Sequence, residues 1–240
     1  MSKIVAIIPA RYNSTRFPGK VLEKIGDKTI LNLVWNQVSK VSIIDEIIIA
    51  TDDQRVIDEA NSFGAEAELT FSDHKSGTDR CAQVADKFWD DDIIINIQGD
   101  EPYIDPAIIE ELAQKMINDD WISIGTLCTY VKNIDESNNP NVVKLVKDNN
   151  DKALYFSRFS IPYQRDDSSF NKNQLKHIGI YAFRNKTLQN ITKLPESYLE
   201  STEKLEQLRW MENGYSIFAF TVDYEGFGID TPEDLEKAKR

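Results

Sequence analysis

The chain has 240 residues, 41% hydrophobic and 28% charged, enough for one sizeable core and too apolar for a disordered chain. Its 28 basic and 40 acidic residues leave a net charge of −12, which argues against general binding to nucleic acid or anionic membranes, because both rest on clustered Lys and Arg. Two distant cysteines, Cys81 and Cys128, and two histidines, His74 and His177, argue against a disulfide framework and a multi-histidine zinc site, and predict a reduced, cytoplasmic setting.

Ile4–Ile8 is a continuous apolar run of the kind buried on both faces of a parallel sheet. The run is too short for a signal peptide, and no stretch reaches the roughly 20 apolar residues of a membrane span. Helical spacing follows from Ile30 to Val38, then a second strand at Glu46–Thr51 and a helix from Val56 that Gly64 stops. Ser76-Gly-Thr-Asp79 reads as a capping box for a helix reaching Phe88. Ile93–Ile97 is a third buried strand, and Asp105-Pro106 opens a helix through Met116. This alternation predicts an α/β fold in one domain over 1–240: a mostly parallel twisted sheet with helices on both faces. Strands dominate from 122 to 183, where the hairpin turn Asp148-Asn-Asn-Asp151 points to an antiparallel excursion serving as a lid, a dimer contact, or both. Helices return at Lys186–Thr192 and Tyr198–Asn213, followed by a strand at Ile217–Val222. A last helix starts at Asp230–Glu233, which reads as a capping box.

Ligands of such sheets bind beyond the carboxyl ends of the strands. Three of those ends carry polar clusters: Pro9–Lys20, Asp52-Asp53 and Gln98–Glu101. The first holds Arg11, Arg16 and Lys20 with the hydroxyls of Ser14 and Thr15, and no acid. Guanidinium forks match phosphate oxygens in pairs, and a lysine adds a mobile charge. The loop is neither a Walker A nor a Rossmann glycine loop. Asp100, beside Glu101, suits Mg²⁺, which is commonly held by one or two carboxylates plus substrate phosphates. Asp52 and Asp53 read as helix caps. Ser76–Arg80 opens a helix whose free N–H groups favour anions, and the Gln98 amide can both donate and accept hydrogen bonds. His177, Gly179 and Tyr181 share one strand face, with a gap at the glycine. On the helix from Tyr198, Leu205, Leu208 and Met211 are expected to face the core, and Glu203, Glu206, Gln207 and Trp210 the other side.

Seven further segments accompany the basic loop in order: His74–Arg80, Asn96–Pro102, Asn139–Lys144, Ala153–Arg158, His177–Tyr181, Leu205–Arg209 and Asp230–Leu235. Together they cover almost the whole chain, which resembles the 3-deoxy-manno-octulosonate (Kdo) cytidylyltransferase family. The resemblance implies a nucleotide-diphospho-sugar transferase fold, CTP and a Kdo-type sugar acid as substrates, Mg²⁺, a homodimer and a cytoplasmic role in lipopolysaccharide synthesis. It implies Arg11, Arg16, Lys20 and Asp100 as catalytic residues. Ala10, Arg11, Ser14, Arg16, Lys20, Ser76, Gly77, Arg80 and Gln98 would hold the nucleotide, and Asp100 and Asp230 the metal. Arg158, His177, Tyr181, Glu206 and Gln207 would hold the sugar. The sequence departs from the family at Asp79, where many members have Glu, across a short 165–174 region, and just before Asp230. The 8-amino relative of Kdo is an alternative acceptor. A nucleotide-binding protein without turnover is a rival reading, but it would be expected to have lost Asp100 or the basic loop.

Overall fold

The β-branched segment Ile4–Pro9 forms the interior strand β1 of the sheet, in a computed structural model that describes residues 2–13, 17–165 and 171–239. The other strands are β2 (Lys24–Ile25), β3 (Lys28–Thr29), β4 (Glu46–Thr51), β5 (Glu66–Leu69), β6 (Ile93–Asn96), β7 (Ile124–Tyr130), β8 (Lys144–Lys147), β9 (Ala153–Ser157), β10 (Leu175–Arg184) and β11 (Phe218–Thr221). The helices are α1 (Ile30–Val38), α2 (Gln54–Ser62), α3 (Gly77–Ala85), α4 (Pro106–Asn118), α5 (Ile134–Asn138), α6 (Asn185–Ile191), α7 (Tyr198–Glu203), α8 (Glu206–Glu212) and α9 (Pro232–Ala238).

The main sheet runs β11-β7-β10-β6-β1-β4-β5. Neighbours are parallel except around β10, which lies antiparallel between β6 and β7. The antiparallel excursion is therefore built into the main sheet, and only the β8–β9 hairpin hangs from the start of β10. Strand pleating sends alternate residues of β1 into two cores. Ile4, Ala6 and Ile8 meet α1, α2 and α4, whereas Val5 and Ile7 face the side of α3, α6 and α8. Each fully buried Ile or Leu contributes roughly 1.5–3 kcal/mol over leaving it exposed.

Four local expectations change. The stretch Tyr198–Asn213 is two helices, broken where Lys204 takes a left-handed conformation, φ 54°. The Glu203 and Lys204 carbonyls at the break accept from the Arg158 guanidinium instead of continuing the ladder. The break rotates α8, so Trp210 and Gln207 are buried with Leu208 instead of sharing a face with Glu203. The last capping box is Thr231 with Asp234, one residue later than Asp230 with Glu233. Asp53 caps α2 as expected, but Asp52 does not cap; it pairs with Arg80 at 3.4 Å. The half-buried edge strand β5 and the five-residue α5 carry too little apolar periodicity to stand out in the sequence.

Candidate active site

The carboxyl ends of β1 and β6 and the start of α3 surround a cleft of about 230 Å³, lined by residues including Arg11, Lys20, Gln98, Asp100 and Asp230. Two glycines let its walls approach. A Cβ on Gly99 would lie 2.9 Å from the Pro9 carbonyl oxygen, and one on Gly77 would lie 3.2 Å from the Pro9 ring. Ala10 is buried just past β1, with its N–H donating to the Ala50 carbonyl at 2.8 Å. Arg11 is exposed at the rim. Ser14 and Arg16 lie outside the described residues.

Lys20 is the hub. Its Nζ donates to Asp100 Oδ2 at 2.5 Å and to the Ile229 carbonyl at 2.9 Å, and it lies 3.4 Å from Asp230 Oδ1. The Ile229 N–H donates to the Asp100 carbonyl at 2.9 Å, tying the segment before α9 to the end of β6. Two carboxylates from chain positions 130 apart thus converge on one cation. Because the final helix is capped by Thr231, the Asp230 side chain serves the cleft instead. Beside them, burial and the charges of Asp100 and Asp230 push the Glu101 carboxyl up to about 7.

Ser76 caps α3 and takes part in a reciprocal box with Asp79, so the Asp found at that position does the capping work of the longer Glu. Arg80 lines the cleft from beneath, buried. Its guanidinium donates to the Thr70 hydroxyl and the Phe71 carbonyl and pairs with Asp52. Gln98 Nε2 donates to the Gly179 carbonyl at 3.0 Å, which orients the amide.

The residues expected to hold a sugar divide. His177, Tyr181, Glu206 and Gln207 gather on the α3 and α8 side of the sheet. The His177 ring packs 5.2 Å from Tyr181 and 5.3 Å from Phe156, and Tyr181 in turn packs 5.2 Å from Trp210. The Thr126 hydroxyl donates to the Ile180 carbonyl and lies 2.9 Å from His177 Nε2, which makes Nε2 the proton-bearing nitrogen of a neutral ring. Part of the residue still reaches solvent, yet burial of the ring holds its pKa at about 3. Glu206 accepts from Thr78 Oγ1 at 2.5 Å, and burial pushes its carboxyl up. Arg158 is not brought to this group. Its guanidinium donates to the carbonyls of Pro140, Glu203 and Lys204.

Sequence reasoning passed over the Asp52–Arg80 pair and over Asn96, a buried polar residue closing an otherwise apolar strand. That break in an all-isoleucine run was the available signal. It also passed over Lys144, fully buried and held by the carbonyls of Asn139, Val142 and Arg158 at 2.6–2.9 Å. Its long aliphatic stem explains how a strand core admits it.

A family model described as cytidylyltransferase matches residues 5–217. The 3-deoxy-manno-octulosonate cytidylyltransferase of Trichlorobacter lovleyi is 45% identical, covering 99% of this chain and 97% of that protein. The protein of the same name from Solibacter usitatus is 46% identical, covering 99% and 94%. A solved structure described as CMP:2-keto-3-deoxy-manno-octonic acid synthetase complexed with CTP superposes with a TM-score of 0.93 at 45% identity, over 99% of this chain and 97% of that one. The 4-diphosphocytidyl-2C-methyl-D-erythritol synthase of Anaerococcus prevotii, 18% identical with a TM-score of 0.63 over 99% and 95%, shares the fold alone.

Proposed function

The chain belongs to the 3-deoxy-manno-octulosonate cytidylyltransferase family, and from that premise we propose that it transfers the cytidylyl group of CTP to Kdo, giving CMP-Kdo and pyrophosphate. The observation that carries the reading is the convergence of Lys20, Asp100 and Asp230 at the mouth of a cleft whose other wall is the start of α3.

Arg11, Arg16 and Lys20 bind the triphosphate, with Ser14, Ala10, Ser76 and Gly77 beside it and Gln98 toward the base. Arg80 lends positive charge from beneath the cleft while Asp52 holds it in place. Transfer of this kind rests on alignment and charge neutralisation more than on covalent chemistry. The anomeric hydroxyl attacks the α-phosphorus in line and pyrophosphate departs. Asp100 and Asp230 fit Mg²⁺: both are oxygen donors, they flank one cationic position, and two carboxylates suffice for an ion that completes its shell with phosphates and water. Bound there, Mg²⁺ supplies charge neutralisation at the phosphates.

His177, Tyr181, Glu206 and Gln207 hold the sugar acid. Arg158 joins them only by exchanging its carbonyl partners for the sugar carboxylate. The buried free thiols Cys81 and Cys128 suit the reducing cytoplasm, where the product feeds lipopolysaccharide synthesis. The exposed Phe159 and Tyr163 offer apolar surface for a homodimer, which sedimentation velocity tests.

Pyrophosphate release with CTP and Mg²⁺, run in parallel with Kdo, its 8-amino relative and a sialic acid, tests the activity. Release with Kdo is expected. Release only with the 8-amino sugar changes the acceptor, and none with any sugar despite CTP binding overturns the reading.

A further inference from the structure

Beside the cleft lies a polar group with an unusual balance. Thr78 Oγ1 donates to Glu206 Oε1 at 2.5 Å, and Asn96 Nδ2 donates to Thr78 Oγ1 at 3.4 Å. A hydroxyl carries one proton, so this order gives the chain a single direction, from amide to hydroxyl to carboxylate. Asn96 is paired in register with Tyr181, which brings the two side chains to the same face of the sheet. Three buried atoms of this group have no hydrogen-bond partner: Glu206 Oε2, Asn96 Oδ1 and the Tyr181 hydroxyl. Buried polar atoms are almost always paired, because leaving one unmet costs about 1–3 kcal/mol. Three in one cluster, two of them acceptors and one a donor, match a ligand rich in hydroxyls, each able to give and to take.

We propose that Thr78 and Asn96 are positioning residues for the acceptor sugar: Asn96 orients the Thr78 hydroxyl, and Thr78 fixes one oxygen of Glu206 so that the other is left for a sugar hydroxyl. The inference rests on the Kdo reading above and adds a specificity relay reaching from the strand end to α8. The relay borders the nucleotide side at Ser76, whose hydroxyl also acts on the Glu206 carboxyl, but it is separate from the Lys20 hub. The Thr78 hydroxyl bonds Glu206 and Asn96, and neither belongs to the Lys20 hub.

The test separates sugar binding from nucleotide binding. Thr78→Val keeps the volume and removes the hydroxyl, and Thr78→Ser restores it. For Thr78→Val the KM for Kdo is expected to rise about tenfold or more, the scale of one lost hydrogen bond to a charged group. The Kd for CTP, measured by calorimetry, stays within about twofold, and Thr78→Ser recovers most of the loss. In the cycle with Glu206→Gln the two effects do not add, because Thr78 acts through Glu206. A folded Thr78→Val with the KM for Kdo unmoved overturns the proposal, as does a CTP Kd rising in step with it, or strict additivity. Where Thr78→Val does not fold, Thr78→Ala against Thr78→Ser is read on the same scale. A wild-type protein that releases no pyrophosphate with Kdo overturns the parent reading and the relay together. An active wild type with unmoved variants overturns the relay alone.

Discussion

The Lys20 hub and the Glu206 cluster sit at the same end of one sheet and are built on opposite principles. The hub is charged and partly open: a largely buried ammonium between two partly exposed carboxylates, with Arg11 exposed at the rim. The cluster is closed and carries little free charge: a neutral imidazole, a phenol, a threonine and an amide around one carboxyl pushed up by burial. Net charge at a partly hydrated site can balance a triphosphate without a fixed pattern of partners. Hydroxyl recognition instead needs fixed, desolvated partners whose unmet atoms reject a ligand of the wrong pattern. One end of the sheet thus serves two kinds of recognition by controlling burial.

The comparison can be broken at several points. The largest effect is expected at the hub. Asp100→Asn should lower kcat by about 10³-fold with the CD spectrum unchanged, the scale of losing one electrostatic partner of the reacting group; near-normal turnover in a folded variant removes Asp100 from the chemistry. Asp52→Ala leaves Arg80 buried without its counter-charge. It should lower stability by about 3 kcal/mol, read as a Tm lower by roughly 6–12 °C. An unchanged Tm would mean that Thr70 and the Phe71 carbonyl suffice. Lys20→Met should raise the KM for CTP about 10–100-fold and leave the KM for Kdo within about twofold. Equal rises in both would erase the boundary between the two regions.

The effect that is smallest at neutral pH, and grows only in acid, belongs to His177. Its folded pKa is about 3 against 6.5 for a free imidazole. The unfolded chain therefore takes up the proton first as pH falls, and this stabilisation is complete above pH 6.5 and declines toward pH 3. The slope from this group is at most about 1.4 kcal/mol per pH unit. His177→Gln should flatten the acid limb of a Tm-against-pH curve, and superimposable limbs would show that burial of His177 does not govern it.

Local signals were legible wherever one short segment dictates its own conformation. Runs such as Ile4–Ile8, the Ser76–Asp79 box and the Asp148–Asp151 turn depend on neighbours within a few residues, and each stands as read. The basic loop and Asp100 were likewise visible, because a strand end in a parallel sheet is a binding position by topology. The break at Lys204 was not, since the Arg158 guanidinium that holds it comes from 46 residues away. Nor was the choice between Asp230 as cap and Asp230 as cleft residue. Both carboxylate patterns occur in the sequence, and only the fold, by bringing Lys20 across 210 positions, decides which is used. Sequence by itself determined most of the elements, the family and the charged strand end, all set by local propensity and order along the chain. Tertiary structure alone decided which polar groups lose water, and that decision separates the Lys20 hub from the Glu206 cluster, because desolvation depends on what packs around a group rather than on what precedes it.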